Sequence, residues 1–339
     1  MPPHQLTPEY LAEDDGHTLI AISVLFIVVD TLFVALRFYA VQLKRSPIGL
    51  DDFIIPVAWV THIGLCALGI VMVEKAGVGR HVQYNVRKDP HILVHWAKSL
   101  YALEWLYLAS AALPKISMCL LYLRIFTSKP AKFATHGVIW IIILNWIAFI
   151  LATSLQCTPF AYQWNKKIPG GKCVGQQDLY KASSAPNIAT DVVIMLLPIK
   201  TTWELKISTA RKVGVLLVFA AGSVGIVASC VRMAAFFQTD AFEDNTWASV
   251  KLVGWSIVEP GMYIAAACSV RMRPLVPLIK RKLHIKDIYT SFSSNKSNGN
   301  GSKTENLKLR GLPISRLGFD RIENENNEAE SMRGIVHAK

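Results

Sequence analysis

The chain has 339 residues, of which 52% are hydrophobic and only 18% are charged. Soluble domains carry nearer a quarter charged residues, so this composition argues against an ordinary soluble protein. The formal net charge is +12, but aromatic residues are not interleaved with the basic ones. The sequence therefore gives no reason to expect a nucleic acid as a partner.

The apolar residues are gathered into blocks, each long enough to cross a bilayer, which takes roughly 20 residues. We predict an all-α membrane protein, a seven-transmembrane-helix bundle that passes repeatedly through the plasma membrane or an internal membrane. The predicted spans are residues 17–41, 53–73, 95–125, 137–155, 182–198, 213–237 and 247–270. The fifth span is the weakest of these predictions, because it is short and carries Asp191.

Composition also divides the chain outside the predicted membrane domain of residues 17–270. Residues 1–16 are acidic and form a short N-terminal segment without the features of a signal peptide. Residues 271–289 are a basic juxtamembrane segment, and residues 290–339 are too polar to bury a core, which predicts a disordered tail. Lys and Arg are more frequent in the loops that face the cytosol if the N-terminus is outside, so we predict an outer N-terminus and a cytosolic C-terminus.

Two of the six cysteines, Cys157 and Cys173, fall in one loop on the predicted outer side. Because an outer loop matures in an oxidising compartment, we predict a disulfide between them, with two free thiols as the alternative. Such a bridge is expected to stabilise the protein by about 3 kcal/mol. No spacing of Cys and His indicates a metal site.

Ionisable residues inside the spans are the sequence's main functional signal, because such groups are costly in hydrocarbon and tend to face a bundle interior. Besides Asp30, the candidates for a ligand cavity are Glu104, Lys115, Asp191, Arg232 and Glu259. One interpretation is a polar cavity that binds a ligand or moves a proton. The other is a set of interhelical pairs, Arg232 with Glu259 and Lys115 with Asp191, that hold the helices in register. Both stay open at this point.

Two histidines lie near the predicted membrane core. His62 lies in an otherwise apolar span, which favours a packing residue with its polar atoms satisfied. His81 follows Gly77-Val78-Gly79-Arg80 at the outer mouth of the second span, and we expect an exposed loop histidine there.

A set of short sequence motifs occurs along the chain in a fixed order. In the first half they are Arg37-Phe38-Tyr39, Gly49-Leu50-Asp51-Asp52-Phe53, Gly77-Val78-Gly79-Arg80-His81, Pro114-Lys115-Ile116-Ser117 and Leu123-Arg124-Ile125-Phe126. In the second half they are Cys157-Thr158-Pro159 with Trp164 and Cys173, Asn187 with Thr190-Asp191 and Leu197-Pro198, then Arg232, Trp255, Glu259 and Arg273-Pro274-Leu275. Over about residues 20 to 280 the chain resembles the fungal rhodopsin-like integral membrane family.

The resemblance implies a seven-span protein, either receptor-like or encoded in a gene cluster for secondary metabolites such as satratoxin. The receptor-like branch often has an outer cysteine-rich domain, which residues 1–16 do not provide. Retinal would need a lysine mid-membrane in the last span. The last span has Lys251 only at its end and Glu259 in its middle, so no retinal and no other cofactor is expected. Coupling to a G protein stays open.

Three functions therefore stay open from the sequence. The first is a receptor-like or accessory membrane protein, in one version a component of a secondary-metabolite pathway, with a small molecule or pathway intermediate as its ligand. The second is a membrane-embedded enzyme, a cyclase or isomerase, with Asp191 and Glu259 as acid/base groups. The third is a small-molecule transporter. The absence of a recognisable catalytic motif favours the first.

Overall fold

A computed structural model gives the structure, and it describes residues 7–44, 47–126, 128–203, 219, 222–234 and 244–272. The helices are α1 (Pro8–Ala12), α2 (Gly16–Lys44), α3 (Leu50–Ala76), α4 (Val82–Lys88), α5 (Ile92–Ile125), α6 (Lys129–Ser154), α7 (Gln176–Trp203), α8 (Gly222–Ala234) and α9 (Asn245–Arg271). Strands β1 (Cys157–Thr158) and β2 (Lys172–Cys173) flank a 3-10 turn, Phe160–Gln163. The fold is all-α apart from this small hairpin.

The structure agrees with the predicted membrane class. Among the described helices, α2, α3, α5, α6 and α9 are long and apolar enough to cross a membrane. The fifth predicted span lies within α7, and the sixth is described only at residues 219 and 222–234. The count of seven spans stays a prediction. The tail, residues 290–339, and all but the first two residues of segment 271–289 lie outside the described residues.

The peripheral helices carry large apolar side chains on their outer faces. Leu25 of α2 is 57% exposed, and Trp140 and Leu144 of α6 are 62% and 63% exposed. In water such surfaces would be an aggregation liability, whereas hydrocarbon is a matching solvent for them. The outer faces of α2 and α6 are therefore the lipid-facing surface of the bundle.

The centre of the bundle is formed by α5 and α9. Helix α9 is buried along most of its length, and its run Ala265-Ala266-Ala267 lets neighbouring helices approach closely. Helix α5 contacts α3, α6, α7 and α9. The side chains that these two helices turn inward therefore meet one another away from lipid.

The loop between α6 and α7 lies at one end of the bundle, which is called the disulfide end below. Strands β1 and β2 pair antiparallel with Cys157 opposite Cys173. These two cysteines form a disulfide, which confirms the prediction. Phe160 then packs edge-to-face against Tyr101, with ring centroids 5.6 Å apart, so the loop is anchored on α5.

A tight glycine turn joins α3 to α4 at the same end. Gly77 ends α3 with a left-handed φ of 67°. Gly79 has a φ of 103°, and a Cβ atom there would lie 2.3 Å from the backbone nitrogen of Gly16. The turn thus lets the start of α2 pack directly on backbone, and Gly79 N–H also donates to the carbonyl of Thr246 on α9.

The expectation of an exposed His81 is wrong. His81 is only 3% exposed, and its ring is stacked between Tyr10, at 3.6 Å, and Trp247, at 4.3 Å. Its Nδ1 forms a close contact with the Asp244 carboxylate. The reason is tertiary: the N-terminal segment and the start of α9 close over this loop from both sides. Residues so distant in sequence give no local signal of that enclosure.

Candidate functional site

A buried ion pair joins the middle of α5 to α7. Lys115 and Asp191 are 1% and 2% exposed, and their charged groups are in direct contact. The Lys115 ammonium also donates to Asn187 Oδ1 at 2.7 Å and lies 5.1 Å from the centre of the Tyr263 ring. Helical spacing explains why the Lys115 ammonium contacts both Asn187 and Asp191, because these two residues are four positions apart and lie on one face of α7.

A second buried pair joins α8 to α9. Glu259 is fully buried and accepts hydrogen bonds from Tyr107 at 2.9 Å and from Asn187 Nδ2 at 2.5 Å. Its Oε2 lies 3.4 Å from the Arg232 guanidinium, which stacks over the Tyr107 ring at 4.2 Å. Asn187 touches both pairs, so the two form one network.

Four of the five sequence-predicted cavity residues therefore meet in one place, in the two pairs that the sequence had suggested. The network of Lys115, Asp191, Arg232 and Glu259 is called the paired core below. Two cations face two carboxylates in it, so its charges balance. That balance is what makes four ionised groups tolerable inside a membrane protein, where an unpaired charge costs several kcal/mol.

Glu104 lies apart from the paired core. It shares a face of α5 with Lys115, but eleven residues separate them, which is about 16 Å along the helix. Glu104 is 6% exposed and accepts a close hydrogen bond from the Tyr180 hydroxyl. Its other oxygen lies 3.5 Å from Gln156 Nε2. Glu104 therefore belongs to a separate polar site nearer the disulfide end.

Three adjacent cavities follow α5 from the disulfide end to the paired core, and together they are called the funnel. The mouth cavity, of about 430 Å³, lies beside the disulfide loop and is lined by Leu93, Tyr101, Trp164, Lys166 and Lys167 among others. The middle cavity, of about 90 Å³, shares Trp96, Leu100, Glu104 and Asn245 with the mouth and is otherwise mostly apolar. The floor cavity, of about 30 Å³, reaches Lys115 and Asn187. The span from Leu93 to Lys115 is about 33 Å along α5.

The floor of the funnel presents donors rather than acids. Lys115, Asn187 and Arg232 line the floor cavity, and Arg232 also borders the middle one. Asp191 and Glu259 line none of the three cavities, because each lies behind its cation. A molecule in the funnel would therefore meet N–H groups at its inner end.

Comparison with known proteins identifies the family. The family model for the fungal rhodopsin domain matches residues 36–278. The chain belongs to this family. The match covers most of the chain and all of the funnel, so the resemblance seen in the sequence motifs is confirmed. With its apolar helices, the chain is a multi-pass membrane protein of the fungal rhodopsin family.

Relatives of this fungal rhodopsin-family chain have been named in several fungi. A polyenoic acids biosynthesis gene cluster protein of Metarhizium anisopliae is 32% identical over 283 residues, covering 80% of this chain and 76% of that protein. Fugralins biosynthesis cluster protein 2 of Gibberella zeae is 24% identical, covering 87% and 74%. A protein of Arthrobotrys oligospora named as a receptor is 24% identical, covering 85% and 70%. No solved structure matches the chain.

Sequence reasoning missed the neutral partners of the charged residues in this family member. Tyr107 and Asn187 connect the two ion pairs, and Tyr180 holds Glu104. Neither a tyrosine nor an asparagine is unusual in a span. The usable signal was position: Tyr107 is eight residues from Lys115, and Asn187 is four from Asp191, so each shares a helix face with a charge.

A second charge cluster, missed as a site, lies at the opposite end of the bundle. Arg37 is fully buried, and its Nη2 lies 2.8 Å from both Asp51 and Asp52. Its Nη1 donates to the Ala267 carbonyl at 2.8 Å, and Arg271 also pairs with Asp52 at 2.5 Å. This cluster ties α2, α3 and α9 together. The sequence motifs contained Arg37, Asp51 and Asp52, but the two acids precede the predicted span that begins at residue 53 and were not considered as a site.

Another charge in the spans, Asp30, is paired with a histidine. Asp30 Oδ2 lies 2.7 Å from His62 Nδ1, and the other ring nitrogen of His62 lies 3.0 Å from the Ile257 carbonyl. Both side chains are at most 1% exposed. The structure places His62 as a buried packing residue between α2, α3 and α9, with its ring nitrogens facing a carboxylate and a backbone carbonyl.

Proposed function

We propose that this protein is receptor-like and binds a small, largely apolar molecule that enters the funnel from the disulfide end. The observation that carries the proposal is the funnel itself, a mostly apolar path along α5 that ends on the buried donors Lys115 and Arg232. Ligand sites of this kind combine apolar walls with a few convergent polar groups. The mouth cavity, about 430 Å³, falls within the range of about 300–1,000 Å³ typical of such sites.

We place the disulfide end outside the cytosol. A disulfide between Cys157 and Cys173 is expected where the loop matures in an oxidising compartment, and the Lys and Arg distribution favours the same orientation. In that orientation the funnel opens to the outside or to the lumen. A ligand would then arrive from the side on which a receptor samples its surroundings.

We further propose that the ligand is a product or intermediate of a secondary-metabolite pathway. Two relatives are named for biosynthesis clusters and one is named a receptor. An accessory protein that senses or holds a pathway compound would account for both kinds of name. The proposal concerns the class of compound and not any relative's own product.

The other two functions from the sequence have less support in the geometry. A cyclase or isomerase that used Asp191 and Glu259 would need these acids to face its substrate, and both lie behind their cations. A transporter would need a path that continues, whereas the funnel narrows from about 430 Å³ at the mouth to about 30 Å³ at its floor. A binding role fits a path that ends inside the bundle.

Extraction of the protein from its source organism tests the proposal. Protein purified in mild detergent is expected to retain a small molecule, which mass spectrometry of its organic extract would detect. Ser183→Phe fills the wall shared by the middle and floor cavities and should lose that molecule. Ala148→Phe adds the same phenyl ring at an exposed position on the lipid-facing helix α6 and should keep it. Equal retention by the two variants, or no retained molecule in the parent, would refute the proposal.

A further inference from the structure

We infer that the ligand of the funnel is an uncharged molecule with a carbonyl-type acceptor at its inner end, which accepts a hydrogen bond from the Arg232 guanidinium. The inference rests on the proposed function and specifies its ligand class. Ketones, esters, lactones and amides meet this description, whereas carboxylates, phosphates and amines do not.

Arg232 has unused donor capacity at the funnel wall. Its side chain is 4% exposed, and among the described residues its Nε has no hydrogen-bond partner. Its contact with Glu259 is 3.4 Å, longer than the 2.7–2.9 Å of a strong charged hydrogen bond. The Nε–H is therefore a buried donor of the guanidinium that lacks an acceptor.

The guanidinium lies where the middle and floor cavities meet. Its Cζ is 4.2 Å from the centre of the Tyr107 ring, and both Arg232 and Tyr107 line the two cavities. An acceptor at that junction would meet the unmatched Nε–H and remove the cost of burying it.

Charge balance decides between a neutral and an anionic acceptor. The two cations of the paired core are already matched by Asp191 and Glu259. A ligand carboxylate would add a third negative charge to a buried neutral cluster, at a desolvation cost that no spare cation offsets. A carbonyl supplies the missing acceptor and leaves the balance unchanged. An amine would bring a second cation beside Arg232 and no acceptor.

Three probes with one conjugated polyene chain test this inference: the methyl ester of cis-parinaric acid, its alcohol and the free acid. Binding to the full chain in nanodiscs is measured at pH 8 by quenching of protein tryptophan fluorescence, against nanodiscs that hold Ser183→Phe. The ester should bind tightest. The alcohol should bind roughly tenfold weaker or worse, because its hydroxyl adds an O–H donor to a floor that already presents donors. The anionic acid should also bind more weakly than the ester.

The variant that isolates the donor is Arg232→Met combined with Glu259→Gln, which removes the guanidinium without leaving an unpaired carboxylate. It should erase the difference between ester and alcohol. Arg232→Lys retains a cation but not the planar fork, and should recover part of the difference. Tighter binding of the acid, or an ester preference that survives in the double variant, would overturn the inference while binding itself persists. If no probe distinguishes the parent from Ser183→Phe, the proposed function fails as well.

Discussion

Removal of one partner from the Arg232–Glu259 pair should destabilise the protein far more than removal of both. Arg232→Gln leaves the Glu259 carboxylate fully buried and without its paired cation, while Tyr107 and Asn187 still donate to it. At 3.4 Å and an effective dielectric constant of 20, the lost attraction is about 5 kcal/mol. We expect a net loss of about 3–5 kcal/mol, the cost typical of an orphaned buried charge.

The measurement is the free energy of unfolding in mixed micelles, from a dodecyl sulfate titration followed by tryptophan fluorescence. Tyr107→Phe is the matched control, because it removes one hydrogen bond to the same carboxylate and should cost only about 0.6–1 kcal/mol. Arg232→Gln combined with Glu259→Gln should return to within about 1 kcal/mol of the parent. If Arg232→Gln costs no more than Tyr107→Phe, or if the double variant is as unstable as the single one, the pair does not act as described.

Three further predictions concern the two ends of the bundle. Arg37→Met should lower the free energy of unfolding by about 3–5 kcal/mol in the same titration, because it removes a cation from the buried carboxylates of Asp51 and Asp52. An unchanged midpoint would contradict a stabilising role of this charge cluster. Gly79→Ala should lower the free energy of unfolding by at least about 1–3 kcal/mol, because Gly79 has a positive φ. Gly137→Ala on α6, where an added Cβ meets open space, should raise it by up to about 1 kcal/mol. Equal effects of the two changes would contradict the packing of the turn. Cys157→Ser should lower the free energy of unfolding by about 3 kcal/mol, and a reductant should destabilise the parent but not this variant. Destabilisation of both proteins by the reductant would contradict a stabilising role of the Cys157–Cys173 disulfide.

The sequence suggested the two ion pairs as one of two interpretations, beside a polar cavity that binds a ligand or moves a proton. Lys115, Asp191, Arg232 and Glu259 are ionisable residues in apolar spans, and opposite charges in hydrocarbon are expected to pair. Glu104 was placed with them because it shares a stripe of α5 with Lys115. The helical rise already places these two residues about 16 Å apart along the axis. The sequence could not show that Asp191, Arg232 and Glu259 all gather at the depth of Lys115 and not at that of Glu104.

Contacts across the chain's ends and turns were beyond sequence reasoning. His81 is enclosed by Tyr10 and Trp247, more than 60 and 160 residues away, and nothing local marks its burial. The Arg37 cluster depends on α2 and α3 meeting across the loop between them, so that acids beside a predicted span boundary become buried. In both cases packing between helices, and not propensity, decides the environment.

The central claim is that a cavity opening at the outer, disulfide end reaches the middle of the bundle beside the paired core. Substituted-cysteine labelling in intact cells tests it most directly, with Ser183→Cys and the lipid-facing Leu144→Cys in a background without the exposed Cys230. Thiol reagents need an ionised, water-accessible thiol. We predict that a membrane-impermeant methanethiosulfonate modifies Ser183→Cys from outside much faster than Leu144→Cys. Equal rates, or labelling of Ser183→Cys from the cytosolic side alone, would contradict the claim.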